Sequence, residues 1–216
     1  MPRPLSHRFF RRHTLQVAPD LLGCEVWVRR PGERVRRGRI VEVEAYRGFD
    51  DRACHGWRGE TPRLRTFFGP GGHAFVYITY GIHAMLNFVT EGPDYPSGVL
   101  IRALESIPAA DGPPLEADMR GPGLLTRAMG ITRGLDGSDL RSGPVRARPG
   151  GLRPGERIAT STRVGVEYAG REAAALPWRF FIAGNPSLSR GRPTNPDRAA
   201  EFLAQRIRRR TEANHD

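Results

Sequence analysis

The sequence predicts an α+β fold in which antiparallel strands carry the core and short helices flank them. Two observations lead there. Stretches rich in β-branched and aromatic residues alternate in polarity at 39–46 and 74–89 and run mostly apolar at 99–104. Short turn signals, Pro31-Gly32-Glu33 and Gly81, reverse the chain between extended runs.

Taken in order, a basic-aromatic start, His7-Arg-Phe-Phe-Arg-Arg-His13, precedes Leu15, Val17, Leu21 and Leu22 at helical spacing, and Gly23 ends that helix. Glu25 to Arg30 reads as a first strand. In the next, Val41, Val43 and Ala45 point one way and Glu42, Glu44 and Tyr46 the other, the pattern of a half-buried strand that shows a carboxylate beside an aromatic ring. Residues 48–72 form a long polar connection, the kind that carries function, with Trp57, Phe67 and Phe68 pinning it to the core. From Ala74, Phe75, Tyr77 and Thr79 share one face of a strand; Gly81 breaks it, leaving Tyr80 at the tip, and Met85 to Val89 returns. The apolar run Val99 to Leu104 is expected to be central, so Arg102 within it needs a partner, and Glu44 is the candidate. Gly121-Pro-Gly123 leads into a short helix ending near Gly130, an entry whose amides suit a phosphate. Residues 133–157 read as loops with one short strand, while 162–167 and 178–182 read as extended. Asn195-Pro-Asp opens a C-terminal helix that runs through Phe202, Leu203 and Ile207 to a basic end at 206–210.

The chain of 216 residues suits one domain over 1–216, with 1–6 and 211–216 as flexible ends. All 34 basic residues are arginine, and the formal net charge is +11. Such a charge calls for a polyanionic partner, and arginine's planar fork suits phosphate. Without a lysine amine there is no lysine Schiff base. Cys24 and Cys54 form no C-x-x-C pair, which argues against a zinc knuckle and a disulfide framework and suits a reducing cytosol. No apolar run has the length of a signal-peptide core or a membrane span. A cytoplasmic, nucleoid-associated bacterial protein is expected, without a membrane partner.

Glu44-Ala-Tyr46, His55, Thr61-Pro-Arg63, Tyr77-Ile-Thr-Tyr-Gly81, Asn87 and Leu100-Ile-Arg-Ala-Leu-Glu105 resemble, in order and spacing, the alkyladenine (3-methyladenine) DNA glycosylase family. Gly121–Ile131, Arg163-Val-Gly-Val166 and Pro177-Trp-Arg-Phe180 continue the similarity, which covers about Phe9 to Ser189. The resemblance implies a single α+β domain around a curved antiparallel sheet, acting without metal or cofactor, and the single set of site residues suggests a monomer. It implies a monofunctional enzyme that flips alkylated purines such as 3-methyladenine and 7-methylguanine out of duplex DNA. Hydrolysis of the N-glycosidic bond would follow, and hypoxanthine and ethenoadenine are further candidates. By the same resemblance, Glu44 activates water, Arg102 holds Glu44 and the water, and Tyr46 and Tyr77 sandwich the base. His55 hydrogen-bonds the base, Tyr80 fills the gap left in the stack, and Asn87 crowds the amine of normal guanine. Arg63, Arg65, Gly81 and Arg163 are expected against the DNA. Leu124, where many relatives carry lysine, removes one phosphate contact; Cys54, Gly56 and Ile82 also depart from the common pattern.

Three other readings compete. Glu42, Glu44, Asp50 and Asp51 with His55 could serve a metal-dependent nuclease; the arginines and loop aromatics could serve a non-enzymatic nucleic-acid-binding module; and Pro2, once Met1 is removed, could act as an amine nucleophile. His73 and His83 lack ligand spacing and read as surface or packing residues.

Overall fold

The computed structural model describes residues 3–109 and 112–199, together with residues 201 and 205. Two short helices, α1 (His7–Phe10) and α2 (Thr14–Asp20), lead into β1 (Glu25–Val28) and the long β2 (Arg36–Arg47). α2 stops at Asp20, short of the expected end: Leu21 is its C-cap, and Leu22 and Gly23, the latter with a φ of +85°, belong to the turn that follows. Next come β3 (Ala74–Thr79), β4 (His83–Val89), β5 (Ser97–Ser106) and α3 (Pro122–Met129). The chain closes with β6 (Val145–Arg148), β7 (Ile158–Ser161), α4 (Arg171–Ala175) and β8 (Arg179–Ile182). All pairings are antiparallel.

The sheet order is β3-β4-β5-β2-β1-β6, and β8, itself paired with β7, adds to the end of β2. β2 is therefore the hub. Its first half pairs β1 at Arg36–Arg39, its second half pairs β8 at Glu42–Glu44, and β5 runs along its other edge. The chain thus curls around Glu42 and Glu44, giving the curved α+β sheet that the family resemblance implies. Between Ile40 and Val43 the β2–β5 register shifts twice: Val41 and then Arg102 are left without an opposite residue. Such bulges increase twist and re-aim side chains, and they gather beside functional sites.

One face of the sheet is apolar. Val41, Val43, Ala45, Val76, Leu86, Phe88, Val99 and Ile101 pack with Phe10 and Val17 from α1 and α2 and with Leu125 and Met129 from α3 in a single buried cluster. The other face carries the row Phe75, Asn87, Leu100, Glu44 and Arg179, which face one another across five neighbouring strands. Residues opposite in register share a face, so the sheet itself brings these side chains together.

Several expectations need correction. β2 is not half-buried: Ile40 to Ala45 are all buried, because Arg102, Arg179 and the segments that bring the Val164 and Ser189 amides to Glu44 and Glu42 cover the polar side. Residues 162–167 are not a strand; β7 ends at Ser161, and Gly165, with φ of +72°, bends the chain. The N-terminal end is tied down before His7, since the Leu5 amide donates to the Ala147 carbonyl and Leu5 packs on the core. Asn195 caps a helical turn at 196–199, accepting from the Asp197 amide at 2.8 Å. The expected continuation through Phe202, Leu203 and Ile207 to the basic end lies outside the described residues, as do Pro2 and residues 211–216. Among the described residues, no helix is long and apolar enough to cross a membrane.

Candidate active site

Glu44 is wholly buried on β2, and its carboxylate is held from three directions. Arg102 Nη1 donates to Oε2 at 3.2 Å, the Tyr46 hydroxyl donates to the same oxygen at 2.8 Å, and the Val164 amide donates to Oε1 at 2.7 Å. The amide reaches it because the chain turns at Gly165 instead of continuing as a strand. A carboxylate offers about four acceptor positions, so one remains on Oε1.

Arg102 was expected to meet Glu44 and does, but it also meets Glu42. Glu42 is fully buried and accepts from Arg102 Nε at 3.0 Å, Arg179 Nε at 2.7 Å, the Ser189 amide at 2.6 Å and the Ser189 hydroxyl at 2.7 Å. Burial alone would raise the Glu42 pKa. The Arg179 hydrogen bond, the Arg102 charge and the Ser189 amide outweigh burial and hold it below the ordinary 4.5. The two acids and two arginines form one buried network, so these carboxylate oxygens carry guanidinium groups where a nuclease would need them for metal. Asp51 is likewise taken, by Arg163. Among the described residues, no group of three or more His, Cys, Asp and Glu is placed to hold a metal ion.

A pocket of about 220 Å³ opens over this network, lined by Tyr46, His55, Tyr77, Asn87, Arg102, Val164 and Tyr168 among others. That volume falls below the ~300–1,000 Å³ of sites for drug-sized ligands and suits one flat heterocycle. Tyr46 and Tyr77 are half-buried, and burial raises both phenol pKa values, with the Glu44 charge adding to the rise. Both hydroxyls therefore stay protonated, which lets Tyr46 donate to Glu44. Tyr168, missed in the sequence, tethers the two loops that wall the pocket through its hydroxyl bond to the Ala53 carbonyl at 3.1 Å, and burial pushes its pKa up to about 12. Asn87 is buried, its amide donating to the Phe75 carbonyl at 3.4 Å.

His55 stands at the rim, open to solvent through the mouth and crowded by protein behind, its ring edge-on to Tyr77 at 4.5 Å. Desolvation on the protein side, then the Arg63 charge, lowers its pKa below 6.5. Arg63 and Arg65 are exposed, Arg63 beside His55 in an adjoining groove. Tyr80 and Gly81 form the β3–β4 turn, both with positive φ, and Tyr80 is 91% exposed. A tyrosine at φ of 49° is strained, and Gly81 at 73° takes the same region freely. The side chain thus stands clear of the sheet, with exposed Ile82 beside it.

Arg163 does not fit its expected place. It is 0% exposed, with Nη1 and Nη2 donating to the two Asp51 oxygens at 2.6 and 2.8 Å, so its guanidinium faces no DNA. Arg179 and Ser189 were missed as parts of the site, and Glu42 and Asp51, read from the sequence only as metal ligands, instead hold arginines. The signal for Arg179 was present: Trp178-Arg-Phe-Phe-Ile182 sets an arginine in an apolar strand, the same anomaly that singles out Arg102.

Residues 8–186 match the model of the family described as Methylpurine-DNA glycosylase. The chain belongs to that family. This glycosylase is 43% identical over 201 residues to a protein of Methanocella arvoryzae, covering 88% of this chain and 97% of the relative. A relative from Methanoculleus marisnigri is 45% identical over 199 residues, covering 86% and 98%. One from Myxococcus xanthus is 40% identical over 189 residues, covering 88% and 95%. Each bears the name “Putative 3-methyladenine DNA glycosylase”. The glycosylase is accordingly a DNA-repair hydrolase whose substrate is DNA.

Proposed function

We propose that this glycosylase excises alkylated purines, 3-methyladenine and 7-methylguanine foremost, after flipping the nucleotide into the pocket between Tyr46 and Tyr77. The observation that carries the reading is the buried Glu44 carboxylate beneath a pocket of single-heterocycle size, with one acceptor position unused. A water seated there beside Val164 would lose a proton to Glu44 and attack C1′ of the deoxyribose, while the base departs with the bonding electron pair. Arg102 keeps the carboxylate aimed. An alkylated purine already carries positive charge and leaves as a neutral base, so no acid is needed. Neutral lesions such as hypoxanthine or ethenoadenine need a proton at the ring, and His55, its pKa lowered, is a poor donor near neutral pH.

Flipping costs a few kcal/mol, least for a damaged base, and stacking on an aromatic ring returns ~1–3 kcal/mol. The exposed Tyr80 would take the vacated place in the duplex, with Gly81, Arg63 and Arg65 along the backbone and Asn87 against the exocyclic amine of normal guanine. Nothing in this scheme needs metal, cofactor or a second subunit, and a single-domain monomer working in the cytoplasm on nucleoid DNA suffices. The test is chromatography of bases released from methylated duplex DNA. Free 3-methyladenine, with strands left unbroken until the abasic sites are cleaved chemically, is the expected outcome; strand scission without base release would refute it.

A further inference from the structure

The Tyr46 ring has a cation behind it. The Arg163 guanidinium carbon lies 4.7 Å from the ring centroid. Arg163 is wholly buried and does not line the pocket, whereas Tyr46 does, so the guanidinium covers the face turned away from the ligand. A bare cation there would oppose a cationic base stacked on the other face. With stacking at ~3.5–4 Å, the two charges would stand ~8 Å apart across the ring. At an effective dielectric of about 20, that repulsion is worth roughly a factor of ten or more in affinity.

The charge is not bare. Asp51 grips both terminal nitrogens of Arg163 in a bidentate pair, at 2.6 and 2.8 Å, and is itself aimed by the Ala53 amide on Oδ1 at 3.0 Å. The remaining guanidinium bonds go to the uncharged carbonyls of Ala45 and Ala173. Glu44 meets Tyr46 at its hydroxyl end and is already paired with Arg102.

On the proposed reading that Tyr46 stacks the flipped base, we infer that Asp51 is a specificity-determining residue: by neutralising Arg163 behind the ring, it preserves selectivity for positively charged purines. Asp51 touches neither base nor sugar. Its effect depends on charge, which separates it from a loop anchor of similar strength.

The test measures binding of two duplexes that differ only in lesion charge, one with 3-methyladenine and one with its uncharged isostere 3-deaza-3-methyladenine. A Glu44→Gln background keeps the bases attached, and the readout is the ratio of the two affinities. Because both affinities come from the same sample, loss of folded protein cancels. Asp51→Asn leaves an uncompensated arginine and is expected to lower the preference for the charged lesion about three- to tenfold. Arg163→Gln removes the cation and is expected to hold or raise the preference. The double variant should match the parent. An unchanged ratio in Asp51→Asn, or an equal fall in Arg163→Gln, would overturn the inference and leave the pair a structural anchor. Should Asp51→Asn fail to fold, the direction of change in Arg163→Gln decides alone. If the parent binds neither lesion better than undamaged duplex, it is the lesion-excision reading that fails.

Discussion

Replacing Glu42 with glutamine tests whether the buried network stabilises the hub of the sheet. The carboxylate accepts four hydrogen bonds, two of them from buried arginines. Glutamine keeps the volume but turns a donor toward groups that are all donors. Removing one member of a buried ion pair costs ~3–5 kcal/mol, because the partner charges stay behind. Arg102 retains Glu44, which places this loss near the lower end. For a chain of this size each kcal/mol shifts Tm by roughly 2–4 °C, so a fall of about 6–12 °C is expected at pH 7. The pH dependence gives a second check. Glu42 titrates below 4.5 in the folded chain, so its stabilising share is full above pH 4.5 and is lost as pH falls through the folded value. The gap in Tm between wild type and Glu42→Gln should therefore be constant from pH 7 to 5 and narrow below 4.5. Scanning calorimetry across that range measures it. A gap under 2 °C at pH 7, or one that does not narrow in acid, would refute the argument.

Tyr80→Ala should leave Tm unchanged, since the side chain is exposed and leaves a strained turn, and should weaken binding of a lesion duplex by about tenfold, within the ~1–3 kcal/mol of one stacking contact. Gel shift and thermal melts check both, and unaltered affinity would remove Tyr80 from the stack. Arg63→Gln should lower the salt slope of DNA binding by ~1 if it meets one phosphate. The same change should raise the His55 pKa, because the Arg63 charge is one of the two causes holding it down. Ring-proton NMR reads the titration, and a His55 pKa at or above 6.5 in wild type would contradict the crowding inferred at the rim.

Much of the fold was legible because it rests on local pattern. Alternation located β2 and β3, Gly130 capped α3, and Gly81 marked the hairpin tip that leaves Tyr80 exposed. Arg102 in an apolar strand announced a buried partner, and Glu44 proved to be one of two. What pattern could not supply was which polar face would be covered. Glu42 and Glu44 alternate with valine as on a solvated strand, and only the return of β8 and Ser189, well over a hundred residues later, buries them. Asp51 and Arg163 meet across 112 positions, so neither residue's surroundings in the sequence revealed the pair. The positive charge was legible as a sum but not by address: Arg102, Arg163 and Arg179 are spent inside the protein. Arg63 and Arg65 remain exposed at the surface.

The central claim is that Glu44 activates the water that releases the base. It is tested most directly by release of free 3-methyladenine from alkylated duplex DNA, comparing wild type with Glu44→Gln in excess EDTA. Release by wild type alone, with both proteins binding the duplex equally, is the predicted result. Release by Glu44→Gln at the wild-type rate would contradict it, and so would a wild type that EDTA silences.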